Sequence, residues 1–190
     1  MGEGAPRGPR ADAQRNRARL LAAASELFVE RGPDAPYIEI AKRAGVGVGT
    51  IYRHFPTREE LIEAAYRSEL DAVCAAADCL LRSLPPERAL RAWMDRFIDY
   101  MTMKVGLGDA IRAVVAAGGN PFVHSRERLN AALAALLAAT AAAGLTRPEV
   151  PADDVLMSLS GIAMAAGAPE QRKQAARMID LLCRGLHPHP

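Results

Sequence analysis

The sequence predicts an all-α fold: a three-helix N-terminal helix-turn-helix unit followed by a larger helical unit, about nine helices in total. Three observations predict it. Half of the 190 residues are hydrophobic but only 5% are aromatic, with alanine and leucine dominant, a composition that packs helices rather than strands. Apolar residues recur at three-to-four spacing between Gly- and Pro-rich breaks. The stretch YIEIAKRAGVGVGTIYRHFPTREEL, Tyr37 to Leu61, reads as two short helices joined by a glycine turn, then a third with a capped start.

In chain order, residues 1–11, MGEGAPRGPRA, are rich in Gly, Pro and Arg and are expected to form a disordered basic arm. Helix one runs from about Ala13 to Arg31, with Leu20, Ala24, Leu27 and Phe28 on its core face, and Gly32-Pro33 stops it. Helix two starts near Pro36, and Tyr37, Ile40, Ala41 and Ala44 form its inward stripe. Helix three spans about Val48–His54, burying Ile51 and Phe55. Thr57 and Glu60 form a capping box for helix four, which runs to about Arg82. Helix five runs from Pro86 to about Lys104, and Gly106-Leu107-Gly108 is a hinge. Helix six ends near Ala117, and Gly118-Gly119-Asn120-Pro121 is a loop. Helix seven takes Phe122 to Ala143, and the segment 145–151 is a linker. Helix eight is about Ala152–Ala166 and helix nine about Glu170–Leu186, with Gly167-Ala168-Pro169 between them. The domain boundaries expected are 1–11 for the arm, 12–57 for the helix-turn-helix unit and 58–187 for the larger unit.

Charge divides along the same line. Residues 1–58 hold ten Lys/Arg against six Asp/Glu, and residues 59–190 hold fourteen against sixteen. A positive N-terminal unit suits a polyanion such as double-stranded DNA. The second short helix offers the chemistry that a major groove accepts. Thr50 has a hydroxyl for phosphate and a methyl for thymine, and Arg53 reaches a guanine edge or a phosphate. Tyr52 and His54 are long enough to bridge to phosphate. Arg7, Arg10, Arg15, Arg17 and Arg19 form a basic run, of which Arg15, at a helix start, is the best phosphate candidate. No secretory signal and no membrane-spanning stretch is expected, and Cys74, Cys79 and Cys183 read as small buried hydrophobes of a cytoplasmic protein. Cys183, His187 and His189 have poor spacing for a metal, and neither a metal nor a cofactor is expected.

Three segments together resemble the DNA-binding domain of TetR-family transcriptional regulators. They are Ala44-Gly45-Val46, then Gly49-Thr50-Ile51-Tyr52-Arg53-His54-Phe55, then Thr57-Arg58-Glu59-Glu60-Leu61. The resemblance implies that Tyr52 and His54 contact phosphates and that Val48, Gly49 and Thr50 sit closest to the bases. It makes Arg58 a backbone contact beside a helix N-terminus. The chain departs from the family pattern in having Gly47 where a serine is common, Ala35-Pro36 where a hydroxyl residue is usual, and Val48 where a polar residue is frequent.

The resemblance further implies a ligand cavity among helices five to seven. Trp93, Phe97, Tyr100, Met101 and Lys104, along helix five, are its expected lining, suited to an apolar organic effector. It implies a homodimer joined by the last two helices, with Ser158, Gly161, Ile162, Ala165, Met178, Ile179 and Leu182 at the interface. The reading that results is a ligand-responsive, operator-binding repressor and not an enzyme, since no nucleophile–base pair, phosphate loop or metal spacing is present. A sequence-indifferent architectural DNA protein is the rival.

Overall fold

A computed structural model of the chain describes residues 9–116, 118, 124–166 and 169–188. Nine α-helices are found among the described residues, with no strand. They are α1 (Pro9–Arg31), α2 (Tyr37–Ala44), α3 (Val48–His54), α4 (Arg58–Ser83), α5 (Pro86–Gly106), α6 (Gly108–Ala116), α7 (Ser125–Ala142), α8 (Ala152–Ala166) and α9 (Arg172–Leu186), the last preceded by a 3-10 turn over Pro169–Gln171. The all-α expectation holds. α1 begins four residues earlier than expected, so residues 9–11 are helical and not part of a disordered arm. The expected arm residues 1–8, the start of helix seven at Phe122, most of the loop before it, Gly167-Ala168 and His189 lie outside the described residues.

The chain divides into two compact units. The first takes the described residues up to Ser68 together with α6, whereas the sequence reading put everything after residue 57 into the larger unit. The apolar side of α6, Ile111 and Val114, is buried along with Leu107 just before it. The core of this unit is Leu20, Leu27 and Phe28 of α1, Ile40 of α2, Ile51 and Phe55 of the α3 segment, and Leu61 and Tyr66 of α4.

Glycine sets the turn between α2 and α3. Gly45 has φ 63° and ψ 40°, a left-handed conformation that side chains resist. Its N–H donates to the Lys42 carbonyl at 3.1 Å, and the Val46 N–H donates to Ala41 at 3.0 Å. This is the Schellman pattern, which satisfies the last carbonyls of α2 and turns the chain sharply. At the start of α4 the Glu60 amide donates to the Thr57 hydroxyl at 3.2 Å, half of the capping box that the sequence predicted.

The second unit packs the later part of α4 with α5, α7, α8 and α9. The indole N–H of Trp93 donates to the Val73 carbonyl at 2.8 Å, joining α5 to α4. The rings of Trp93 and Phe97 stack at 5.7 Å. Arg172 on α9 donates to Asp95 and Asp99 of α5, and Arg128 on α7 donates to Asp71 of α4 at 2.7 Å. The cysteines depart from expectation: Cys79 is exposed, and Cys74 and Cys183 are only half-buried. The i, i+3 and i, i+4 positions of a helix do not by themselves say which cysteine faces inward.

Candidate nucleic-acid interface and ligand cavity

α3 is short and buries one residue, Ile51, so its other side chains turn outward. Val48 is 41% exposed and Tyr52 56% exposed. Gly49 and Arg53 are exposed, and Thr50 and His54 are half-buried. The candidate face of the sequence reading is therefore a real outer surface of α3. No described acidic side chain pairs with Arg53, whereas Arg43 on α2 donates to Glu30 at 2.6 Å and 3.0 Å. That carboxylate is held below its ordinary pKa by the same hydrogen bond. Gly47 precedes α3 with extended backbone and gives it no side-chain cap.

What fixes this face lies mostly outside α3. Tyr37 of α2 is buried, and its hydroxyl donates to the Thr57 carbonyl at 2.8 Å, with the Phe55 carbonyl at 3.3 Å. Its ring lies 5.0 Å from the ring of Tyr52. Burial pushes the Tyr37 hydroxyl above the ordinary tyrosine pKa, with Arg58 opposing, so it stays a donor. Two arginines of α1 clasp the motif. Arg19 donates to the Gly45 carbonyl at 3.3 Å, and the Arg17 guanidinium sits 5.2 Å from the centre of the Phe55 ring. Sequence reading treated both only as parts of a basic run.

Arg58 differs from expectation. Its guanidinium donates to the carbonyls of Pro33 at 2.6 Å and Ala35 at 2.9 Å and lies over the Tyr37 ring at 5.0 Å. The side chain is turned into its own unit, where it ties α4 to the loop between α1 and α2. Arg15 pairs with Asp12 three residues earlier and is exposed.

The second unit contains a cavity of about 410 Å³. Phe97, Tyr100, Met101 and Lys104 of α5 line it, as expected, opposite Ser125, Arg126 and Leu129 of α7 and Leu156, Met157 and Ser160 of α8. The walls are thus α5, α7 and α8 rather than helices five to seven, since α6 belongs to the other unit. Trp93 is fully buried and does not line the cavity, because its indole is committed to α4. Arg126 and Asp153 form a bidentate pair at 2.9 Å and 2.6 Å, which Asn130 joins at 2.8 Å and which holds the Asp153 carboxyl below its ordinary pKa. It fixes α7 against α8 beside the cavity. Burial pulls the Lys104 ammonium below the ordinary lysine pKa. A second cavity, about 380 Å³, is lined by Glu87 and Asp180 as well as Arg91 and Arg184.

The outer sides of α8 and α9 also depart from the sequence reading. Ile162 and Ile179 are buried in the chain's own core and are not available to a partner. Ser158, Gly161 and Ala165 are exposed, and Met178 and Leu182 half-buried. Met164 and Leu181, which the sequence reading passed over, are 78% and 66% exposed.

The comparisons with known proteins follow this division. Residues 20–65 match the bacterial regulatory proteins of the tetR family. Residues 85–188 match the C-terminal domain of SbtR-like transcriptional regulators, more than half of the chain by themselves. The chain belongs to the TetR family. It is a helix-turn-helix transcriptional regulator, and its relatives are regulators and not enzymes. The crystal structure of a TetR transcriptional regulator from Streptomyces coelicolor is 52% identical with a TM-score of 0.88, covering 92% of this chain and 99% of that one. A TetR transcription regulatory protein from Mycobacterium vanbaalenii is 33% identical with a TM-score of 0.75, covering 95% and 100%. The HTH-type transcriptional activator FasR of Mycolicibacterium smegmatis is 38% identical over 97 residues, 50% of this chain and 44% of FasR. The match therefore spans less than half the length of that curated relative. No helix of the described residues is long and apolar enough to cross a membrane.

Proposed function

We propose that this TetR-family regulator binds a roughly palindromic DNA operator as a homodimer, represses from it, and is released by a small, largely apolar organic effector. The observation that carries the reading is the outward face of α3. Val48, Thr50, Tyr52 and Arg53 project from a helix whose start is set by the Gly45 turn and whose position is fixed by Tyr37. In this reading Tyr52 and His54 meet phosphate, Arg53 and Thr50 meet base edges or phosphate, and Val48 and Gly49 lie nearest the bases. Arg58 contributes by holding the unit together rather than by touching DNA.

The homodimer rests on the apolar outer face of α8 and α9, where Met164 and Leu181 flank the small residues Gly161 and Ala165. Large exposed apolar side chains at helical spacing mark a surface that another protein covers, and a second copy gives the two-fold symmetry that a palindromic site needs. The effector site is the cavity between α5, α7 and α8, whose wall is mostly aromatic, aliphatic and methionine. α4 is one continuous helix with residues in both units, so a shift in it couples the cavity to α3. Repression is the sign of regulation that needs fewest parts, since occupancy of an operator alone blocks a polymerase. FasR, named an activator, shares only half of this chain in its match.

The test is a promoter fusion. A fragment bound by the purified protein is placed before a reporter, with and without the regulator gene. The proposal expects higher reporter output without the gene. Lower output without it would make the protein an activator, and equal output would remove the regulatory reading of that fragment.

A further inference from the structure

α1 extends beyond the core that it helps to build. Its first buried side chain is Leu20, and none of residues 10–19 is buried. That stretch gains no tertiary packing of its own, the usual source of helix stability. It carries Arg10, Arg15, Arg17 and Arg19 against Asp12 alone.

Two of these arginines reach α3 from opposite ends. Arg19 donates to the carbonyl of Gly45, in the turn before α3, at 3.3 Å. The Arg17 guanidinium lies 5.2 Å from the centre of the ring of Phe55, the residue that follows α3. Both arginines are exposed. The other arginines of this unit are mostly neutralised. Arg15, Arg31, Arg43, Arg67 and Arg112 each pair with a carboxylate, and Arg58 is spent on two carbonyls. Arg17, Arg19 and Arg53 have no acidic partner among the described residues, and all three stand at α3. The ring contact leaves the five N–H donors of Arg17 without a partner among the described residues. Uncompensated positive charge gathered on one face suits a polyanion.

We infer that Arg17 and Arg19 of α1 grip the DNA phosphate backbone at the two ends of α3. α3 has seven residues and is about 10 Å long. The major groove is about 12 Å wide, so both ends of such a helix come close to the phosphate walls. A guanidinium fork matches phosphate oxygens. Contacts of this kind fix the orientation of α3 in the groove and carry no sequence preference themselves. The inference rests on the reading of α3 as the helix that enters the groove. It adds a second helix to the interface and moves the α1 contact from Arg15, which is paired with Asp12, to Arg17 and Arg19.

The probe is a mixed-sequence duplex about three helical turns long, titrated on the full chain by fluorescence anisotropy across a range of salt. The variants are Arg17→Gln, Arg17→Lys, Arg19→Gln, Tyr52→Ala and, as a control, Arg31→Gln, whose arginine pairs with Glu39. Melting curves confirm that each is folded. Losing a phosphate contact lowers the slope of log affinity against log salt by about one for each subunit bound. Arg17→Gln and Arg19→Gln should each do this and weaken binding roughly threefold to tenfold at low salt. Arg17→Lys keeps the charge and should keep the slope. Tyr52→Ala should weaken binding at constant slope, because its hydroxyl is neutral, and Arg31→Gln should change neither. Unchanged slopes in Arg17→Gln and Arg19→Gln, with Tyr52→Ala still weakened, overturn the grip by α1 and leave α3 in the groove. Equal losses in Arg17→Gln and Arg17→Lys at constant slope make Arg17 a support for Phe55 alone and also overturn it. Binding of no duplex by the parent, or full binding by Tyr52→Ala, overturns the reading of α3 itself.

Discussion

The ring of Tyr52, more than half exposed on α3, lies 5.0 Å from the ring of the buried Tyr37 on α2. The Tyr37 hydroxyl is in turn fastened to the Thr57 carbonyl at 2.8 Å. A side chain proposed to meet phosphate is thus positioned by a buried one. Tyr37→Phe keeps the ring and removes the fastening. It should cost about 0.5–1.5 kcal/mol of stability and weaken operator binding only through that loss. Melting curves and fluorescence anisotropy on the same preparation check this. A larger affinity loss than that of Tyr52→Ala would mean that Tyr37 touches DNA itself.

Arg58 offers a sharper distinction. Its guanidinium satisfies the carbonyls of Pro33 and Ala35. Arg58→Ala should destabilise the fold by about 1–3 kcal/mol, the cost of leaving partly buried acceptors unpaired. A variant that melts like the parent but loses DNA would restore the phosphate contact that the family resemblance implied.

The sequence made the helix order legible because Gly and Pro punctuate it. Gly45, Thr57 with Glu60, and Pro86 mark boundaries by chemistry that acts within a few residues. The bonds of Arg58 to Pro33 and Ala35 gave no sequence signal because those partners are 25 and 23 residues away, and nothing local distinguishes a guanidinium turned inward from one turned out. The inward turn of Ile162 on α8 was hidden for a different reason. Val155, Leu156, Met157, Leu159, Ile162 and Met164 place apolar residues nearly all round it, so periodicity could not choose the face. Ile162 went inward and Met164 outward. Trp93 fell on the predicted stripe of α5 but is taken up by its bond to Val73.

Gly161 separates assembly from folding. A side chain built there meets nothing within 4 Å in its own chain. Gly161→Leu should therefore leave the melting of the subunit near the parent's. It should overpack a dimer interface by about 1–3 kcal/mol, once on each side of the axis. Sedimentation at low concentration should show dissociation, and operator affinity should fall with it. An unchanged sedimentation coefficient would place the interface elsewhere.

Lys104 links stability to pH. Burial lowers its folded pKa, so the unfolded chain binds the proton more tightly. The penalty is fully present below the folded value and is relieved as pH rises through it toward the unfolded one. Lys104→Met removes the penalty. The parent should gain on the variant in melting temperature as the buffer is made alkaline. A gap constant with pH would mean that the ammonium contributes no such penalty.

In the function proposed above, α3 reads DNA as one of a symmetric pair. Its most direct test is selection of genomic fragments by the purified protein, run in parallel for the parent, Tyr52→Ala, Thr50→Ala and Arg53→Ala. The parent should recover fragments sharing an inverted repeat with half-sites about one helical turn apart, or somewhat more. Tyr52→Ala should recover the same motif at lower yield, and Thr50→Ala and Arg53→Ala an altered one. Recovery of fragments with no shared motif, or the same fragments at the same yield by all four proteins, would contradict it.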